Sequence, residues 1–259
     1  MKQRPIIAPL LSLGLFLACT QAQTTKTSQP PPKQAGQKAD STNFIDRVLK
    51  FLGISDSPST LKGPGDEVRS GELWIADLKT GTTRVLASGA GYRSPIFLVG
   101  TNDVLVLHGN EVVRIQVGGG QATKLYSING VSKLVGASPD DKNSVLVLLT
   151  PERESAARVG LLNVRTGEVT AIPYDPSNSQ NVQMVESLEG WSRTYGDRHI
   201  YVKRQSKSAL SGTVEWSDVF LQVDGQAPMD VSQCDGDNCG QPSLAEDGNA
   251  LVFIRAKAD

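Results

Sequence analysis

Three cysteines and two histidines carry most of the reactive chemistry in these 259 residues. Cys234 and Cys239 bracket a turn-like loop, Cys234-Asp235-Gly236-Asp237-Asn238-Cys239, and can pair with each other in an oxidising compartment. Cys19 is then the odd thiol. It ends the run Phe16-Leu17-Ala18-Cys19, which is similar to a bacterial lipobox, where the cysteine becomes the lipidated first residue. The other reading is ordinary cleavage after Ala22, with Cys19 discarded. His108 and His199 fall in equivalent strands, and no Gly-x-Ser-x-Gly elbow accompanies them. Gly118, Gly119 and Gly120 form a turn between strands, not the strand-to-helix turn that cradles phosphate. Asp235, Asp237, Asn238 and Asp247 make an oxygen-rich region, but the acid that closes a calcium loop is missing, so they read as a solvated acidic turn. No catalytic residue, metal site or cofactor is expected from this inventory.

The elements around these residues point to export. Residues 1–22 read as a secretory signal: Lys2 and Arg4 precede a short apolar run over 6–18 that is too short to span a bilayer comfortably. Residues 23–40 lack apolar side chains to bury and read as a disordered linker. Residues 41–66 read as a short amphipathic helix and a loop. Ser41, Thr42 or Asn43 can cap it; Phe44, Ile45, Val48, Leu49, Phe51 and Leu52 follow at helical spacing; Gly53 stops it. Packing on the body is the expectation for this helix, with docking to a partner or to a membrane surface as the alternative. The net charge of −1 gives no basic excess that would call for nucleic acid or anionic lipid as a partner.

Residues 67–259 repeat. An alternating strand that ends in a glycine turn occurs four times, with turns at Gly81, Gly119, Gly167 and Gly225, each followed by a short second strand. After each such hairpin comes another, with apolar strands at 104–107, 145–149, 199–203 and 250–254. The unit is therefore four strands, and its period is that of propeller blades with inserts at 173–189 and 206–216.

Ser138-Pro139-Asp140-Asp141-Lys142 resembles the Ser-Pro-Asp-Gly-Lys turn of the TolB-like family of propeller repeats. The stretch from Gln241-Pro242-Ser243 to Asp247-Gly248-Asn249 is similar to the longer form of that motif, and the strand from Asp218 to Gly225 to the family's strand before its glycine turn. The resemblance covers about residues 68–257. It implies that the chain starts with an outer half-blade at 71–88 and ends with an inner half-blade at 240–256. The expectation is an all-β fold: a small β-propeller of four blades, each of four antiparallel strands, closed by pairing of the N- and C-terminal half-blades and preceded by a short helix; a fifth blade in the inserts, or an open array completed by a second copy, are the alternatives. Alignment to the family places Tyr92, Arg93, Lys133, Trp191 and Arg193 on or beside inner strands. Aromatic and cationic side chains together are candidates for gripping a partner.

The function expected is that of an exported, lipid-anchored, non-enzymatic protein, periplasmic or at the cell surface, that binds a protein or envelope component. A secreted propeller hydrolase or lyase is the alternative. Contact with the membrane is expected only through Cys19.

Overall fold

The computed structural model describes residues 47, 49–54, 68–119, 121–138, 140–150, 158–210 and 212–258. The signal and lipobox, the linker, the candidate caps Ser41, Thr42 and Asn43, and the loop at 55–66 lie outside the described residues. Among the described residues no helix is long and apolar enough to cross a membrane.

The chain is mostly β. Its local turns explain the strand boundaries. At the end of β1 (Gly71–Asp77) the Asp77 carboxylate accepts the backbone N–H groups of Lys79 (2.8 Å) and Thr80 (3.0 Å), and Gly81, at φ 70°, completes the reversal into β2 (Thr82–Phe97). Asn163 does the same for Arg165 (2.9 Å) and Thr166 (3.2 Å) ahead of Gly167, between β8 (Val159–Asn163) and β9 (Val169–Ala171). The second kind of turn rests on Asp141, which accepts from Asn143 N–H, and on Asp247, which accepts from Asn249 N–H, both at 2.9 Å. These backbone donors hold the carboxyls of Asp77, Asp141 and Asp247 below the ordinary aspartate range.

Four sets of four strands follow. The second half of β2 pairs with β3 (Asp103–His108), β4 (Glu111–Gln116) and β5 (Thr123–Ser127) in succession. β6 (Val131–Ala137), β7 (Ser144–Leu149), β8 and β9 form a separate sheet. β10 (Arg193–Tyr195), β11 (Arg198–Ala209), β12 (Gly212–Val223) and β13 (Met229–Asp230) form a third set. In the fourth, β14 (Asn238–Leu244) and β15 (Ala250–Ala256) continue through β1 into the first half of β2. The register from Glu72 opposite Arg255 to Asp77 opposite Ala250 is the expected pairing of the two ends of the domain.

The ladder does not close into a ring. It runs from β10 to β5, with the β6–β9 sheet apart from it, so strand hydrogen bonding falls short of the closed four-blade propeller that was expected. Side chains bridge successive strand sets, and for the β6–β9 sheet they do so with no backbone ladder beside them. Gln241 accepts Ser94 N–H (2.6 Å) and donates to the carbonyls of Val68 and Arg69, tying β14 to β2. Arg93 donates to the Ser132 carbonyl, tying β2 to β6. Lys133 reaches the residues before β10, and Ser217 Oγ donates to the Cys239 carbonyl (2.9 Å), tying β12 to β14.

The two inserts contain regular structure. The insert at 173–189 contains helix α1 (Ser179–Glu189), capped by Asn178, whose side chain accepts Gln180 N–H at 2.9 Å. The insert at 206–216 extends the β11–β12 hairpin, which runs through twelve paired positions to Ala209 opposite Gly212.

The N-terminal helical turn packs on the body, as expected. Leu49, Leu52 and Ile54 are buried in one cluster with Val135, Leu146 and Leu188. Thr194 N–H donates to the Gly53 carbonyl at 2.6 Å, and a Cβ on Gly53 would lie 1.9 Å from the Thr194 oxygen. Gly53 also has φ 64°, so glycine is required there twice over.

Candidate functional site

The five aromatic and cationic candidates lie along the joints between strand sets. Tyr92 stacks on His108, with ring centroids 4.6 Å apart. Arg93, next to it, is half-buried and also donates to the Gly109 carbonyl at 3.3 Å; burial lowers its pKa. Lys133, Trp191 and Arg193 come together at the C-terminal end of α1. The Lys133 ammonium donates to the carbonyls of Leu188 (2.9 Å), Glu189 (2.7 Å) and Gly190 (2.8 Å), and lies 3.4 Å from the centre of the Trp191 ring. Arg193 donates to the carbonyls of Gly190 (2.9 Å) and Ser192 (2.8 Å), and its burial lowers its pKa.

This arrangement has a clear electrostatic cause. The last carbonyls of a helix carry partial negative charge and lack partners of their own. The last turn of α1 contains no basic residue. Lys133 and Arg193 supply the missing cations from β6 and β10, and both are buried while doing so. Their charged heads therefore face main-chain oxygens of the chain itself.

The side chains that do border an opening are different. A cavity of about 170 Å³ lies where Phe97, Ala137, Tyr195 and Leu244 meet, with Phe51 and Leu52 of the N-terminal helical turn against it. Those four are the last residues of β2, β6, β10 and β14, the first strand of each set. Gly136 makes room for the turn, since a Cβ there would lie 2.2 Å from a Leu52 methyl. The wall is apolar, and burial raises the Tyr195 phenol pKa. At the rim the Glu246 carboxylate accepts Gly100 N–H at 3.1 Å. Sequence reasoning passed over these four residues because each is an unremarkable end to an apolar strand. The available signal was positional: each immediately precedes the turn of its repeat.

The remaining candidates are engaged locally. Cys234 and Cys239 form the expected disulfide, with Cα atoms 6.3 Å apart. Arg255 holds that loop by donating to the Asp237 carboxylate (2.8 Å) and the Cys234 carbonyl (3.0 Å). His108 Nε2 lies 3.3 Å from the Ala90 carbonyl, and His199 Nδ1 lies 3.0 Å from Thr194 Oγ1. Among the described residues no group of three or more His, Cys, Asp or Glu side chains is placed to hold a metal ion. Cys19 lies outside the described residues.

No protein-family model and no curated protein matches the chain. Among solved structures it is similar to one assigned as TolB from Agrobacterium tumefaciens, at 16% identity and a TM-score of 0.34. The match covers 70% of this chain and 59% of that one, so the chain spans about three fifths of the length of the structure it resembles.

Proposed function

We propose that this chain is an exported, lipid-anchored, non-enzymatic binding protein of the cell envelope. Its four strand sets act as the blades of a small propeller, and its recognition site is the opening at the ends of their first strands. The observation that carries this reading is the convergence of Phe97, Ala137, Tyr195 and Leu244 on one apolar cavity. Apolar concave sites where several elements meet are the usual places for binding. Tyr92, Arg93, Lys133, Trp191 and Arg193 serve this site by locking successive sets together around it. The leader and Cys19 supply export and the anchor, and the protein partner is a component of the envelope.

Photo-crosslinking in living cells tests the reading. A crosslinker at position 137 should capture a discrete envelope protein, one at the exposed Lys79 should not, and Ala137→Trp, which fills the cavity, should abolish function in the cell. Equal capture from both positions would sink the site. A substrate turned over by the parent but not by Ala137→Trp would replace binding with the hydrolase or lyase alternative. Intact mass of the mature protein checks the anchor: lipid mass on Cys19 supports it, and a chain starting at Gln23 overturns it.

A further inference from the structure

Beyond Arg204 the hairpin of β11 and β12 leaves the body. β10 pairs only with residues 198–200 of β11, β13 pairs only with Phe220 and Leu221 of β12, and β14 bridges β12 only at Ser217. Among the described residues, 205–209 and 212–216 pair with nothing but each other, forming a two-stranded ribbon roughly 16 Å long at about 3.3 Å per residue. Described side chains on the outer part of the ribbon are exposed, and Leu210 at its tip is fully so. Among the described residues, Leu210 and Val214 are two of the five large apolar side chains left exposed.

The ribbon has two unlike faces. Cross-strand partners share a face, so Lys203, Gln205, Lys207, Val214, Trp216 and Asp218 line one side, with Trp216 Nε1 donating to the Asp218 carboxylate at 2.6 Å at the base of the ribbon. That side continues a ladder on the body: His199 stacks on Tyr201 (5.1 Å), Tyr201 on Phe220 (5.8 Å), and the Lys203 ammonium lies 5.4 Å from the Phe220 ring centre. The opposite side carries Ser206, Ser208, Thr213 and the Arg204–Glu215 pair at 3.6 Å. Over the paired stretch 203–218 there are three cationic side chains and two anionic ones, with Asp218 buried at the base, on a chain whose net charge is −1.

We propose that this ribbon is a membrane-contacting arm that lies on an anionic lipid surface, with Leu210, Val214 and Trp216 at the headgroup boundary and Lys203 and Lys207 on lipid phosphates. Aromatic, aliphatic and lysine side chains on one face, with small polar ones and the mutually paired Arg204 and Glu215 opposite, suit an element lying at a membrane interface. Charge complementarity selects anionic lipid over neutral lipid. Lysine and arginine along a free strand edge discourage addition of another strand, which argues against a main-chain partner. The arm is separate from the cavity, and its action does not depend on a lipid at Cys19.

The test uses the exported chain carrying Cys19→Ala, so that no attached lipid contributes. It should sediment with phosphatidylcholine vesicles containing about one quarter phosphatidylglycerol, not with phosphatidylcholine alone, and high salt should release it. Trp216 emission should shift to the blue on binding, and Trp216→Phe should remove that shift. Leu210→Asp and Lys207→Glu should each lower the affinity at least tenfold without changing the melting temperature, because neither side chain is buried. If one variant folds poorly, the other carries the comparison. Absence of vesicle binding, equal binding to neutral vesicles, or parental binding by both variants overturns the proposal. Displacement by inorganic phosphate would mean a free-anion site, and arm-dependent capture of a protein without vesicle binding would mean a protein-docking finger; either result also overturns it.

Discussion

Replacing Lys133 by methionine keeps most of the side chain's volume and removes its charge. In the parent, that charge meets three carbonyls at 2.7–2.9 Å and the face of Trp191. The Gly190 carbonyl keeps Arg193 as a donor after the change, whereas those of Leu188 and Glu189 lose Lys133. Leaving a buried acceptor unpaired costs about 1–3 kcal/mol each, or roughly 2–6 kcal/mol for two. Relief of the penalty for burying an ammonium offsets part of that. A net destabilisation of about 2–4 kcal/mol is expected, which in a domain of this size lowers the melting temperature by about 5–15 °C. Thermal unfolding followed by circular dichroism measures it. A double-mutant cycle with Arg193→Met sharpens the test, because only the double variant strips both donors from Gly190. The double variant should therefore lose more than the sum of the single losses, by about 0.5 kcal/mol or more. A Lys133→Met protein that melts with the parent, or strictly additive losses, would refute the capping argument.

Three further outcomes follow from other contacts. Deleting residues 238–259 removes β14 and β15 and leaves β1 paired on one edge only, with β2, so cooperative unfolding should be lost; an unchanged transition in scanning calorimetry would contradict the pairing of the two ends. The Tyr126 hydroxyl is buried with no hydrogen-bond partner, and burial pushes its pKa up to about 12, so Tyr126→Phe should leave stability unchanged or raise it by about 1 kcal/mol in urea unfolding. Burial lowers the His199 pKa, so below about pH 6.5 the unfolded chain takes up a proton more readily than the folded one. Stability should therefore fall from pH 7 to pH 5, and His199→Gln should flatten that slope in urea titrations at the two pH values.

Interactions between near neighbours were legible in the sequence. Asp77 and Asn163 fold their turns through N–H groups two and three residues away, so strand, glycine turn and strand could be read directly. The Cys234–Cys239 bridge spans five positions and needed nothing else. Even the pairing of β1 with β15, at opposite ends of the domain, was legible, because the repeat leaves an outer half at one end and an inner half at the other.

Where each polar side chain pointed was settled only by the tertiary structure. The sequence from Ser179 to Glu189 has buried positions at Met184, Val185, Ser187 and Leu188, but no basic residue in its last turn. Its cation comes from Lys133, more than fifty positions earlier, so neither the helix nor the role of Lys133 could be read locally. The same holds for Phe97, Ala137, Tyr195 and Leu244. Each is an ordinary strand end in one dimension, and they become a cavity only when four strand sets bring those ends together. The ribbon at 205–216 is the converse case. Its alternation was present in the residues, but whether the two strands were covered or projected into solvent depended on where β10, β13 and β14 stopped pairing. Hydrogen bonds within a turn are set by the few residues that make them, whereas burial and the direction of a long charged side chain are set by whichever distant surface arrives to meet it.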